Sequence, residues 1–283
     1  MVWFGPAGNS ESFETMGYKK MEQVPEYLEK MGLSAYEYQC GRGVRLRQDA
    51  AEKLRILFAE KKIRVSLHAP YYISLSSAEE EKRDKSVEYI LQSAQAVDWL
   101  GGDRIVVHSG SCAKMTREEA TALAKDTLRK AARALDENGL SHIHICPETM
   151  GKINQLGSLD EVMELCSVDE RFIPCIDFGH LNARTLGGLM TDEAIRQVFD
   201  TMENRLGVQR MRSFHSHFSK IQYTTGGEKC HLTFADDQYG PNFEPVAQLI
   251  VEKGCEPVFI CESAGTQAED AAAMRDIYRL TAK

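Results

Sequence analysis

No apolar run in the 283 residues approaches the roughly 18 that a membrane-spanning helix needs, so no helical span is expected. The opening residues, Met1-Val2-Trp3-Phe4-Gly5-Pro6, lack the charged region and apolar stretch of a signal peptide, which points to the cytoplasm. The eight cysteines contain no CxxC pair. In a long chain without a leader they read as buried free thiols, not as a disulfide framework. Basic residues are in deficit, 34 against 42 acids, and the net charge of −8 excludes a wholesale basic coat for nucleic acid. A local basic patch stays open. GxGxxG after the first strand, GxxxxGK[ST] and GxSxG are all missing, which argues against dinucleotide, P-loop and serine-elbow chemistry. Low-complexity and Pro-rich stretches are missing too.

What is present is the ordinary mix of a globular chain, 43% hydrophobic and 27% charged, large enough to build a core without a disulfide or a metal. Short β-branched runs recur at Val2–Ala7, Ala35–Gln39, Arg64–Pro70, Arg104–Gly110, His142–Glu148, Phe172–His180, Arg212–Lys220 and Pro257–Ser263, their starts 29 to 45 residues apart. Helical periodicity fills the gaps at Glu79–Leu100, Thr116–Asn138, Leu159–Val168, Asp192–Leu206 and Phe243–Lys253. Strands alternating with helices imply parallel pairing, because a parallel crossover needs that length. Eight such units predict one α/β domain over residues 1–283, a (β/α)8 TIM barrel.

In such a barrel the chemistry sits where the strands end. Six successive runs deliver an imidazole or carboxylate there: His68, His108, Glu148, Asp177 with His180, His215 or His217, and Glu262. One histidine after an apolar run is ordinarily a hydrogen-bonded core residue, and one acid at a strand end is ordinarily a helix cap. Six on one face are different, because unpaired buried carboxylates are costly and a cation offsets that cost. Imidazole and carboxylate without a thiolate set suit Zn, Mn or Fe rather than Mg or Ca. Glu148, Asp177, His215 or His217, and Glu262 suffice for one ion. His68, His108, His180 and His231 are surplus to it, which predicts more than one metal and a bridging carboxylate such as Glu148 or Glu262. Paired ions clamp the attacking and leaving oxygens of a phosphoryl displacement. Cys146, Cys175 and Cys261 read as small apolar filling, and His142 and His144 as structural.

His68-Ala69-Pro70-Tyr71, His108-Ser109-Gly110-Ser111, Glu148-Thr149, Asp177-Phe178-Gly179-His180, His215 with Lys220 five residues on, His231 and Glu262-Ser263 occur in that order. Together they resemble the endonuclease IV family (AP endonuclease family 2), metal-dependent abasic-site endonucleases of the xylose-isomerase-like barrel superfamily. The resemblance runs from about His68 to Glu262. It implies a first zinc on His68, His108 and Glu148, and a second on Glu148, Asp177, His215 and Glu262. It implies a third on His180 and His231. Two to three Zn2+ ions are expected, with Mn2+ as the alternative, and Glu148 and Glu262 as the catalytic carboxylates. The implied partner is abasic-site DNA and the role base-excision repair. A hydroxide formed on the metal would attack the phosphate 5′ to the lesion and leave a 3′-hydroxyl. No membrane partner is expected, and a monomer is.

The chain departs from the family in three places. The family carries Asp two residues before the histidine matching His231, where this chain has Lys229 and, one residue earlier, Glu228. The Thr224–Lys229 loop with its two glycines can shift by one residue, so a weaker third ion on His180, His231 and Glu228, or on the two histidines and water, is expected, with Lys229 in solvent. Strand seven carries both His215 and His217, and the spacing to Lys220 favours His215. The loop after strand two is short, leaving Arg42 and Tyr71 to wedge into a lesion and Lys220 to contact substrate. Arg42, Arg45, Arg47, Lys114, Lys152, Arg184 and Lys220 form the basic rim a duplex requires. The competing reading is a one-metal sugar or sugar-phosphate isomerase or epimerase, moving a proton between Glu148 and Glu262. Glu37 on strand two fits a sugar-binding barrel as well. A metal-binding barrel without catalysis is the third reading.

Overall fold

The computed structural model describes residues 1–283. Ten strands form: β1 (Trp3–Pro6), β2 (Ala35–Gln39), β3 (Arg64–His68), β4 (Arg104–His108), β5 (His144–Glu148), β6 (Cys175–Asp177), β7 (His215–Phe218), β8 (Ile221–Thr224), β9 (Gly227–His231) and β10 (Val258–Cys261). Eight of them make one sheet in the order β1-β10-β7-β6-β5-β4-β3-β2, every pair parallel. A parallel bridge between Ala7 and Glu37 brings the two ends together, with Gly8 N–H donating to the Glu37 carbonyl at 3.0 Å. Gly5 permits this seam: a Cβ there would lie 1.8 Å from the Ala35 carbonyl oxygen. The chain is a TIM barrel, as the rhythm of runs predicts.

Helices Glu80–Trp99, Arg117–Glu137, Leu159–Cys166, Asp192–Leu206 and Glu244–Lys253 fall on the expected stretches, and Val24–Met31, Gln48–Glu60 and Gln267–Thr281 complete the outer ring. Their starts are written locally. Thr116 and Ser158 each accept from the backbone N–H three residues on, with Glu119 and Glu161 reaching back, the reciprocal cap that stabilises a helix start by about 1 kcal/mol.

The two faces of the sheet differ in kind. Outward residues such as Leu67, Val107, Ile145, Phe214 and Phe259 join the helices in a cluster of 65 buried side chains. Inward residues make only two small apolar clusters, one of Val106, Cys146, Ile173 and Cys175, the other of Ala35, Val258 and Ile260. Branched apolar side chains usually fill a TIM barrel. Here Glu37, Ser66, Arg104 and His215 are buried inside it as well.

Three local expectations are corrected. The sixth run does not continue as strand to His180. It ends at Asp177, whose Oδ1 accepts the His180 N–H at 2.7 Å and starts the helix Phe178–Arg184. The stretch Thr224–Lys229 is no free loop but the turn and second strand of the β8–β9 hairpin. All eight cysteines are free, but Cys230 is exposed while the other seven are buried. No helix is long and apolar enough to cross a membrane.

Candidate metal centre

Because strand residues alternate, His68, His108, Glu148, Asp177 and His217 all point inward at the strand ends, and Glu262 follows β10 directly. Their donor atoms meet at the mouth of the barrel. Glu148 Oε2 lies 3.5 Å from His68 Nε2 and 3.4 Å from His108 Nε2. Its other oxygen, Oε1, lies 2.9 Å from His217 Nδ1, which is 3.6 Å from Glu262 Oε1. The two groups, His68–His108–Glu148 and Glu148–Asp177–His217–Glu262, each keep their donors within 4.8 Å of one another and share Glu148. A third group of the same compactness holds His180, Glu228 and His231, with His180 Nε2 3.4 Å from Glu228 Oε2.

The donor set fits divalent cations. Glu148 Oε2 and Asp177 Oδ2 are buried with no hydrogen-bond partner, an expensive state for a carboxylate oxygen unless something positive sits beside it. The histidines agree. His68 Nδ1 donates to the Ala69 carbonyl at 2.8 Å and His180 Nδ1 to the Thr149 carbonyl at 2.9 Å. A carbonyl only accepts, so the proton of each neutral ring sits on that nitrogen. The other nitrogen then aims a lone pair at a carboxylate. Lone pair against carboxylate is stable only with a cation or a proton between them, and anchoring one ring nitrogen while the other ligates is the usual arrangement around a metal.

Electrostatics report the same crowding. Burial disfavours the charged ring of His68, but Glu148 outweighs it and raises the pKa above its ordinary value. His180 and His217 are raised further against the same burial, His180 by Asp177 and Glu148, His217 by Cys175 and by the carboxylates of Glu262, Glu37 and Glu148. Burial pushes the carboxyl of Glu148 up, and the charge of His217 with the close approach of the His180, His217 and His68 rings overcomes this and holds it well below the carboxylate range. His108 behaves oppositely, since burial lowers it to about 3.

The expectation for strand seven is corrected. His217, not His215, joins Glu148, Asp177 and Glu262. His215 lies one layer deeper, where its Nε2 donates to Glu37 Oε2 at 2.9 Å. Both rings face inward, so alternation could not separate them. What separates them is height along the axis: β7 pairs Asp177 on β6 with His217, while His215 pairs with Cys175.

The hairpin explains how Glu228 comes to stand beside His180. Opposite Gln222 and Tyr223, β9 places Cys230 and Glu228, so Lys229 is the extra residue of a bulge. Residues three apart on a regular strand face opposite sides. The bulge returns Glu228 and His231 to one side and leaves Lys229 exposed. The hairpin is docked by Glu228 N–H on the Gly151 carbonyl at 3.0 Å and Ile153 N–H on the Gly226 carbonyl at 3.1 Å. Gly151 is required there, because a Cβ would meet Glu228 Cβ at 2.6 Å and His180 Cδ2 at 2.9 Å.

The donors open into a cavity of about 570 Å3, lined also by Gln39, Tyr71, Lys152, Gln155 and Gln267. Tyr71 is 56% exposed and stacks on His108, ring centroids 5.2 Å apart. Arg42 is exposed on the loop beside it, and Tyr71 N–H donates to Gly41. Lys220 is corrected: its ammonium is held by the carbonyls of Phe234 and Asp236 and does not line the cavity. Arg184 is likewise bound to loop carbonyls, at Met150, Lys152, Ile153 and Gln155. Lys152 is exposed on the cavity wall, and Arg42, Arg45, Arg47 and Lys114 are exposed on the loops that follow β2 and β4. His142 and His144 are tied to Asp98 and to the Arg171 carbonyl, away from the donors.

The sequence reading left Glu37 out of the site. It is fully buried and accepts from His215, His217, Ser66 and Gln39. A lone acid at an inward position of an otherwise aromatic strand, Ala35-Tyr36-Glu37-Tyr38, was the available signal.

A protein of Methanocaldococcus jannaschii is 32% identical over 263 residues, 93% of this chain and 92% of that protein, and no function is attached to it. A probable endonuclease 4 of Acholeplasma laidlawii is 28% identical over 194 residues, 61% of this chain and 65% of that protein. Among solved structures, a D-tagatose 3-epimerase-like protein superposes with a TM-score of 0.74 at 20% identity, covering 99% of this chain and 97% of the other. Endonuclease IV from Thermus thermophilus superposes with a TM-score of 0.66 at 18% identity, covering 98% and 97%. At those identities the superpositions speak to the fold alone. A family profile described as xylose isomerase-like TIM barrel matches residues 25–281, and the chain belongs to that family.

Proposed function

We propose that this chain is a metal-dependent phosphodiesterase resembling endonuclease IV, cleaving DNA 5′ to abasic sites in base-excision repair. The observation that carries the reading is that, of five compact and partly overlapping donor groups, three can be filled together, two of them joined through Glu148. A one-metal enzyme needs only Glu148, Asp177, His217 and Glu262. It has no use for His68, His108, His180, Glu228 and His231 gathered around the same cavity. The likeness to proteins named endonuclease 4 supports the same reading.

His68, His108 and Glu148 would hold one ion, Glu148, Asp177, His217 and Glu262 a second, and His180, Glu228 and His231 a third. Bound there, Zn2+ or Mn2+ supplies Lewis acidity towards phosphoryl oxygens and a nucleophile at neutral pH. The chain's own side chains do the rest. The Ala69 and Thr149 carbonyls hold His68 and His180 with one ring nitrogen aimed at the donors. Tyr71 offers an exposed ring at the mouth against which a base or sugar can pack. Lys152 places a cation on the cavity wall, and Arg42 one beside Tyr71, where phosphates on either side of a lesion would pass.

A second reading is a sugar or sugar-phosphate isomerase or epimerase, favoured by Glu148 and Glu262 both lining one cavity of about 570 Å3. Elemental analysis of the purified protein, followed by incubation with a duplex carrying one abasic analogue, separates the two. Two or more ions per chain and a single incision leaving a 3′-hydroxyl are expected. One ion and an intact duplex would sink the nuclease and leave the isomerase.

A further inference from the structure

We infer that Glu37 is a positioning residue that makes Nδ1 of His217 the metal-binding nitrogen, by holding the proton of that ring on Nε2. The inference rests on the metal-centre reading above and not on the substrate. Glu37 sits inside the barrel with no exposed surface. Its Oε1 lies 2.8 Å from His217 Nε2, and its Oε2 lies 2.9 Å from both His215 Nε2 and Ser66 Oγ. Gln39 Nε2 adds a longer contact of 3.3 Å to Oε1. An ionised carboxylate only accepts hydrogen bonds, so every group facing it must donate. Both histidines therefore present N–H at Nε2. In the neutral ring of His217 the lone pair is then at Nδ1, the atom that faces Glu148 and Glu262.

Without Glu37 that choice is not forced. The carbonyl anchors of His68 and His180 lie on their own or a neighbouring loop, whereas His217 has no backbone acceptor at either nitrogen. Its anchor comes from across the barrel, from β2 to β7. His215 and Ser66 bind the far oxygen of the carboxylate and set its plane. The deep histidine is thus part of the support beneath the ligand and not a ligand itself. A carboxylate behind a ligating imidazole fixes its ring and raises its basicity, and its loss typically costs about 10- to 100-fold in metal affinity.

Nitrogen-15 ring spectra of the zinc-loaded wild-type protein, with His217 assigned by its absence in His217→Gln, read the tautomer directly. The expected result is a protonated Nε2 and a zinc-shifted Nδ1. A zinc-shifted Nε2 would overturn the inference whatever any variant does. Chelator competition on Glu37→Gln and Ser66→Ala supplies the second readout. Zinc affinity at the Glu148–Asp177–His217–Glu262 group should fall by about 10- to 100-fold in Glu37→Gln and by less in Ser66→Ala, with the His180–Glu228–His231 group unchanged. Folded Glu37→Gln with wild-type zinc affinity would also overturn it. An intact abasic duplex together with the expected tautomer and affinity loss would sink the nuclease reading and leave the role of Glu37 standing.

Discussion

Two kinds of support carry the donor atoms. Five donors belong to the barrel strands: Asp177 and His217 are fully buried, Glu148 and His68 are 1–2% exposed, and His108 is 20% exposed. The other kind is the hairpin, whose Glu228 and His231 are 16% and 27% exposed and reach only His180 among the buried histidines. Strand donors are placed by parallel pairing that the whole core enforces. Hairpin donors are placed by one bulge and two backbone contacts to the loop after β5. The difference predicts a rigid, tightly held pair of ions and a looser third.

The largest effect comes from removing the shared donor. Glu148→Gln should cut phosphodiester cleavage by at least about 10^3-fold, the several kcal/mol that charge stabilisation at a metal supplies. Metal content should fall at both strand-held groups with little change in the circular dichroism spectrum. Full activity with unchanged metal would reject the centre.

Next comes the choice on β7. Metal counted in His217→Ala should drop by about one ion, while His215→Ala keeps the wild-type count. The reverse result would return the ligand role to His215.

The comparison itself is tested by graded chelation. One ion should leave first, and Glu228→Gln should lower only that occupancy. Gly151→Ala should act likewise, because its methyl would push on Glu228 and His180. Simultaneous loss of all ions on mild chelation would erase the distinction between the two supports.

The smallest effect concerns the loop that receives the hairpin. Residues 150–157 are pinned by Arg117, whose guanidinium meets Glu161 at 2.5 and 2.7 Å, and by Glu161 accepting the N–H of Gly157 and Ser158. Burial raises the Glu161 carboxyl, but those bonds outweigh it and bring the pKa down to about 2, from 4.5 in the unfolded chain. A depressed carboxylate stabilises the fold fully above the unfolded value and loses that contribution as pH falls towards the folded one. The gap in Tm between wild type and Glu161→Gln should therefore be widest above about pH 5 and close as the pH approaches 2. A gap independent of pH would assign the effect to packing.

Legibility followed the same division. Strand positions and five outer helices could be read because each is a local pattern: apolar runs, helical spacing, and caps such as Thr116 with Glu119. His68, His108, Glu148, Asp177 and Glu262 could be read because they close apolar runs in a fold whose strand ends converge. The β7 member of that group could not. His215 and His217 differ only in depth along the barrel, which depends on the stagger between neighbouring strands. Lys220 misled for a related reason: its spacing resembled a motif, while its ammonium is held by the carbonyls of Phe234 and Asp236, fourteen and sixteen residues away.

Residue order alone therefore determined an eight-unit barrel and the chemistry gathered at its mouth, because periodicity, caps and strand ends are encoded within a few residues of where they act. Three matters were decided only in three dimensions. One is which histidine of β7 meets Glu148. Another is the bulge that brings Glu228 and His231 to one side. The last is the carboxylate of Glu37 behind His217, 180 residues distant in the chain and 2.8 Å away in space. Each depends on the register of one element against another, and register is a property of the assembled sheet.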